Sequence, residues 1–79
     1  IGDSNYLNFS TIFYKKRMVN DANNDHNVTI RILDENQNIV LNKTTIKPGR
    51  DLSLRFLKYN KNYIVQVKCK NGRYHLNFV

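Results

Sequence analysis

Seventy-nine residues limit this chain to a single domain, 1–79, whose core is small enough that packing quality decides its stability. Thirteen Lys and Arg against six Asp and Glu leave a formal charge of +7, which favours nucleic acid, anionic lipid, acidic glycans or wall polymers over cationic partners. A hydrophobic content of 41% excludes global disorder, a lone cysteine excludes an internal disulfide, and no run reaches the ~18 apolar residues of a membrane-spanning helix.

Ala22 is the single alanine, and Val, Ile, Thr, Tyr and Phe are frequent, a balance that favours strands over helices. In chain order, residues 5–14 are predicted as a first strand. Leu7, Phe9, Thr11 and Phe13 share one face, and Ile12-Phe13-Tyr14 is apolar on both faces, as in a strand covered on two sides. Residues 15–27 read as a long polar connection, opened by Lys15-Lys16-Arg17, with Met18 and Val19 supplying one contact beneath it. Residues 27–33 alternate as a second strand with Val28, Ile30 and Ile32 inward. Asp34 to Gln37 then supplies a four-residue turn, because Asp and Asn bond their own backbone. A third strand, 38–45, returns with Ile32 opposite Ile39 and Ile30 opposite Leu41.

Lys47-Pro48-Gly49-Arg50 has Pro and Gly in the order that type I and II turns prefer. A fourth strand follows at 51–57 with Leu52, Leu54 and Phe56 inward. Residues 58–62 turn the chain into its final seventeen residues, which read as a β-hairpin. Asn71-Gly72 is a strong type I′ turn signal. The register it sets pairs Lys70 with Arg73, Cys69 with Tyr74, Lys68 with His75, Val67 with Leu76 and Val65 with Phe78, alternating apolar with basic or polar pairs.

The prediction is an all-β antiparallel sandwich of about six strands, with a small OB- or SH3-like barrel as the alternative. Its expected core is Leu7, Phe9, Phe13, Val28, Ile30, Ile32, Ile39, Leu41, Leu52, Leu54, Phe56, Tyr63, Val65, Val67, Leu76 and Phe78. From Pro48-Gly49 through Leu52-Ser-Leu54-Arg-Phe56-Leu57 to Tyr63-Ile-Val65-Gln-Val67, the order is turn, alternating strand, aromatic turn, Tyr, alternating strand. This resembles immunoglobulin-like and fibronectin type III-like sandwiches. The resemblance implies that the hydroxyl of Tyr63, or alternatively that of Tyr59, caps the corner before the strand. The chain lacks the tryptophan and the cysteine pair of antibody domains. No function follows from the resemblance, because such folds host unrelated functions.

Two basic groups are the candidate ligand-binding residues. Lys68, Lys70, Arg73 and His75 share the outward face of the predicted hairpin, where like-charge pairs cost stability that an anion between them relieves. Arg31, Arg55 and Lys43 extend that face if their strands belong to the same sheet. Lys15, Lys16 and Arg17 follow Tyr14, a combination suited to phosphate contacts with base stacking or to a membrane interface.

Other motifs are weaker. Asp21-Ala-Asn23-Asn-Asp25 opens like a calcium loop, but His26 stands where Gly is needed and Ile32 where the bidentate Glu belongs. His26 has no second ligand at a zinc spacing. Cys69 points inward and His75 outward in the predicted register, so they form no nucleophile–base pair. No metal, cofactor or catalytic residue is assigned. Asn8-Phe-Ser10, Asn27-Val-Thr29 and Asn42-Lys-Thr44 fit the glycosylation sequon. The chain starts at Ile1 rather than Met, which points to a processed or trimmed polypeptide.

The expected function is that of a non-enzymatic, secreted or cell-surface interaction domain. It binds an anionic polymer or surface, or a protein partner, through a basic β-face. The alternatives are a single-stranded nucleic-acid-binding barrel module using Tyr6, Tyr14, Tyr59 and Tyr74, and a small cationic toxin or antimicrobial protein. The first and last strands are candidate open edges for self-association.

Overall fold

The computed structural model describes residues 3–79; the expectation drawn from Ile1 lies outside them. The described chain has no helix and seven strands: β1 (Asp3–Leu7), β2 (Arg17–Asn20), β3 (Val28–Leu33), β4 (Ile39–Ile46), β5 (Asp51–Ser53), β6 (Tyr63–Cys69) and β7 (Leu76–Phe78). They form two antiparallel sheets, one of four strands in the order β1-β6-β3-β4 and one of three in the order β5-β2-β7. The shortest Cα extent, 15 Å, accommodates two sheets packed face to face at about 10 Å.

The core follows from the alternation of the two central strands. Val28, Ile30 and Ile32 of β3 lie opposite Cys69, Val67 and Val65 of β6, so both strands turn the same residues inward. All three β3 residues are completely buried, as is Val65. Phe9, Met18, Leu54 and Leu57 close over them from the second layer and its loops. At the start of β6, the Tyr63 hydroxyl accepts a hydrogen bond from Lys58 N at 2.9 Å, closing the corner between β5 and β6. Tyr63→Phe deletes that acceptor while keeping the ring. It is expected to lower stability by about 1–2 kcal/mol, read as a lower urea midpoint with an unchanged slope.

Several sequence expectations are corrected. The final hairpin does not form. Both edges of β6 are occupied, by β1 and by β3, so no edge is left for β7. The turn that forms has Gly72 N bonded to Cys69 O, so its central residues are Lys70 and Asn71. Gly72 has positive φ (70°) and Asn71 does not, which excludes a type I′ turn on Asn71-Gly72. Arg73 to His75 then carry the chain across to the other sheet. There β7 pairs with β2, with Met18 opposite Phe78 and Asn20 opposite Leu76.

The first strand ends at Leu7. Thr11 to Tyr14 instead form a turn (Tyr14 N to Thr11 O, 3.3 Å), which leaves Ile12 77% and Phe13 89% exposed. The fourth predicted strand stops at Ser53, because a turn from Leu54 to Leu57 reverses the inward side. Leu57 is buried and Phe56 is 51% exposed. The connection 15–27 contains β2, the central strand of its sheet, with Met18 and Asn20 completely buried.

The β3–β4 register is also shifted: Ile32 faces Leu41, Leu33 faces Ile39, and Ile30 faces Thr44. Asp34 causes the first displacement. Its backbone N–H binds Asn38 O, and its carboxylate accepts the Asn36 and Asn38 amides, so the loop shrinks to residues 35–37 with Gln37 left-handed (φ 64°). Two irregularities further along place extra residues on β4. Ile39 therefore faces water and Ile46 joins the core in its place. Leu41, Leu52, Leu76 and Phe78 pack against the core half-buried.

Candidate anion-binding face

The four-stranded sheet turns one side to the core and the other to water. Partners in an antiparallel ladder share a side, so β3 residues 29 and 31 carry their partners with them. Thr29 pairs with both Lys68 and Thr45, and Arg31 pairs with Gln66. Two cross-strand hydrogen bonds tie this outer side together: Thr29 Oγ1 to Thr45 Oγ1 at 3.0 Å, and Arg31 Nε to Gln66 Oε1 at 2.7 Å. Above it lies an open depression of about 320 Å³ lined by Asn27, Thr29, Lys43, Lys68 and Lys70. Its lining contains three lysines and no carboxylate. Among the described residues the only ion pair is Arg17 with Asp51, so these three ammonium groups have no acidic partner.

The predicted site residues therefore divide. Lys68 and Lys70 stay together, and Lys43 joins them across β3. Arg31 lies in the same sheet, whereas Arg55 lies in the turn after β5. Arg73 and His75 are in the segment that crosses between the sheets. His75 is held there through its backbone: its N–H donates to Asn24 Oδ1, and its carbonyl accepts from Asn24 Nδ2 and Asp21 N. Thr29 was legible as outward from the alternation of its strand; its bond to Thr45 depends on β4 pairing beside β3 in the shifted register.

Lys15, Lys16 and Arg17 do not act as one run. Lys16 is turned inward at a left-handed backbone position (φ 56°). Its Nζ donates to Leu57 O at 2.6 Å and sits 4.0 Å from the centre of the Tyr59 ring. Arg17 Nε binds Asp51 Oδ2 at 2.6 Å. That hydrogen bond is the main reason the Asp51 carboxyl is held below its ordinary value. Lys15 alone of the three is exposed without such a contact.

The calcium-like loop is built as a clamp. Asp21 Oδ1 accepts Asn23 N, and the Asn24 side chain reaches Asn20 and the His75 carbonyl. Among the described residues no three His, Cys, Asp or Glu gather to hold a metal ion. Cys69 Sγ lies 3.3 Å from Arg73 O as a thiol donor. The chemistry available at the depression is coordination of an anion by ammonium, hydroxyl and amide donors.

Comparison of the chain with protein-family models, with curated proteins and with solved structures gave no match.

Proposed function

We propose that this chain is a non-enzymatic interaction domain of immunoglobulin-like type, secreted or cell-surface, that binds an anionic polymer through Lys43, Lys68 and Lys70. One observation carries the reading: three lysines from two strands and the following turn line one depression on the hydrogen-bonded outer side of the sheet, with no carboxylate beside them. Three uncompensated positive charges repel one another, and a bound polyanion turns that repulsion into attraction. The type is supported by the Tyr63 corner and by the pairing of β3 with β6 and β2 with β5, which matches the central strands of that sandwich. The first and last strands depart from it, since each lies in the sheet where the pattern has the other. These two strands run in the same direction, so the exchange keeps every ladder antiparallel.

The test is an amide NMR titration of the labelled domain with short single-stranded DNA and with a sulfated oligosaccharide, at low and high salt. Shifts are expected at Thr29, Lys43, Lys68 and Lys70. Affinity is expected to fall roughly twentyfold when salt rises about fourfold, as for some three neutralised phosphates. The triple variant Lys43→Glu, Lys68→Glu, Lys70→Glu is expected to lose binding, whereas Lys58→Glu, at the other end of the sheet, keeps it. Shifts spread evenly over all lysines, or binding retained by the triple variant, would overturn the proposal.

A further inference from the structure

The end of the sandwich opposite the lysine depression is built differently. Leu7 pairs with Tyr63 at one end of the four-stranded sheet, while Cys69, which precedes Lys70, pairs with Val28 at the other. The loop after Leu7 (8–16) and the loop before Tyr63 (54–62) therefore emerge together at the Leu7 end. They are joined to one another by Asn60 N to Phe9 O (2.7 Å), Leu54 N to Lys16 O (2.6 Å), Tyr59 Oη to Tyr14 O (2.9 Å) and the Lys16 ammonium on Leu57 O. Each loop includes one non-glycine residue in the left-handed region, Lys16 (φ 56°) and Asn60 (φ 55°), so these contacts hold a backbone conformation that is unfavourable alone, chiefly at Lys16.

Among the polar and basic residues that this joined pair presents to water stand three large apolar side chains. Ile12 and Phe13 occupy the two central positions of the Thr11–Tyr14 turn, and Phe56 stands out from the second loop at 51% exposure. Phe13 also walls an open hollow with Tyr14, Phe78 and Val79. Ile12 and Phe13 stand in water at this turn, where they contribute little to the chain's own core. Neither loop contains Asp or Glu, while together they carry Lys15, Lys16, Arg55, Lys58 and Lys61. Asp34 and Glu35 line a groove with Phe56, Lys58 and Lys61, where Glu35 Oε1 accepts Asn62 N, so the carboxylates at this end lie on the Phe56 side and not at Ile12 and Phe13. Asp34 is occupied by the Asn36 and Asn38 amides.

We infer that the two loops are a membrane-docking tip. Ile12 and Phe13 enter the interfacial region of an anionic bilayer, while Lys15 and Arg55 contact the headgroups. The charge selects the lipid, because acid-free loops with exposed cations are attracted to an anionic leaflet. The inference rests on residues remote from the lysine depression and stands whether or not that face binds a polyanion.

The experiment is flotation of the whole domain with vesicles of phosphatidylcholine alone and with about 30% phosphatidylserine, followed by amide NMR with lipids spin-labelled near the headgroup. Binding is expected only with the anionic vesicles, with the Ile12 and Phe13 amides broadened most. Ile12→Ser with Phe13→Ser is expected to weaken it about tenfold or more, without changing the melting temperature, since both residues are already in water. The Lys43, Lys68, Lys70 triple charge reversal is expected to retain vesicle binding while losing polyanion binding. Absence of binding to anionic vesicles, or binding that survives the Ile12, Phe13 double variant, would overturn the inference. Binding lost in the lysine triple variant would assign the vesicle contact to the sheet face and overturn it equally.

Discussion

Phe9→Ala is expected to unfold the domain at ambient temperature or to lower its melting temperature by at least about 12 °C, while Phe13→Ala moves it by less than about 4 °C. Phe9 is completely buried although it lies beyond the end of β1, and its ring packs tilted against Tyr14 with 5.4 Å between centroids. Its carbonyl also anchors the 54–62 loop through Asn60. Truncating a buried Phe to Ala costs about 3–5 kcal/mol in lost transfer energy and cavity. A chain of this length has roughly 4–12 kcal/mol in total, so one side chain carries a large share of it. Phe13 is 89% exposed, so its truncation forfeits almost no burial. Thermal unfolding by circular dichroism reads both variants. Equal losses at the two positions would mean that residues 8–14 pack as one two-sided strand.

That pair of phenylalanines also marks where the sequence stopped being legible. Four residues apart, Phe9 and Phe13 have the same parity, and period-2 alternation cannot separate them. What does separate them is a turn between Thr11 and Tyr14 that carries no Gly, Pro, Asn or Asp to announce it. Where both partners of a ladder alternate without a bulge, as in β3 and β6, the inward set was readable in full, because burial imposes the same parity on both strands. Phe56 was misassigned for the same reason as Phe13: an unsignalled turn, Leu54 to Leu57, reversed the parity.

The final hairpin failed for a different reason. Turn chemistry and alternation are local, whereas the edges of β6 are taken by strands about 35 and 60 residues earlier in the chain. The candidate site shares that limit. Lys68 and Lys70 could be read as one face from their spacing, but Lys43 and Thr29 reach them only through the β4-β3-β6 order. Arg73 and His75 leave the group because the chain after Gly72 crosses to the second sheet.

β2 was hidden because its buried inward pair, Met18 and Asn20, includes a residue that hydropathy reads as loop. Among the described residues Asn20 is the one buried polar side chain outside the hydrophobic cluster, and all its polar groups are engaged. Nδ2 donates to Ile46 O at 2.9 Å, Oδ1 accepts from Asn24 Nδ2, the backbone N–H binds Arg50 O, and its carbonyl accepts Gly49 N. Asn24 continues to the His75 backbone, so one amide links the ends of β2 and β4 to the segment entering β7. Among the described residues no buried side-chain nitrogen or oxygen lacks a partner, and this network is what satisfies Asn20.

Asn20→Asp is accordingly expected to cost about 3–5 kcal/mol at neutral pH and to become more stable as the solution is made mildly acidic. The new carboxyl keeps an acceptor for Asn24 but loses the donor to Ile46 O, and when ionised it brings a buried negative charge against that carbonyl. Asp21, the next residue in the chain, adds a like charge. Burial raises the folded-state pKa above the unfolded value of about 3.9. The protonated form, which can donate to Ile46 O as the amide does, is thus favoured by folding. Stability is complete below the unfolded pKa and is lost as pH rises through the folded one. Urea midpoints at about pH 4 and pH 7 check this sign. Asn20→Leu removes both the donor and the acceptor without adding charge, so its loss, about 1–3 kcal/mol for the Ile46 carbonyl left unpaired while Asn24 keeps the His75 carbonyl, is expected to show no such recovery in acid. Recovery in acid by the Leu variant, or none by the Asp variant, would show that Asn20 is not held in the buried network.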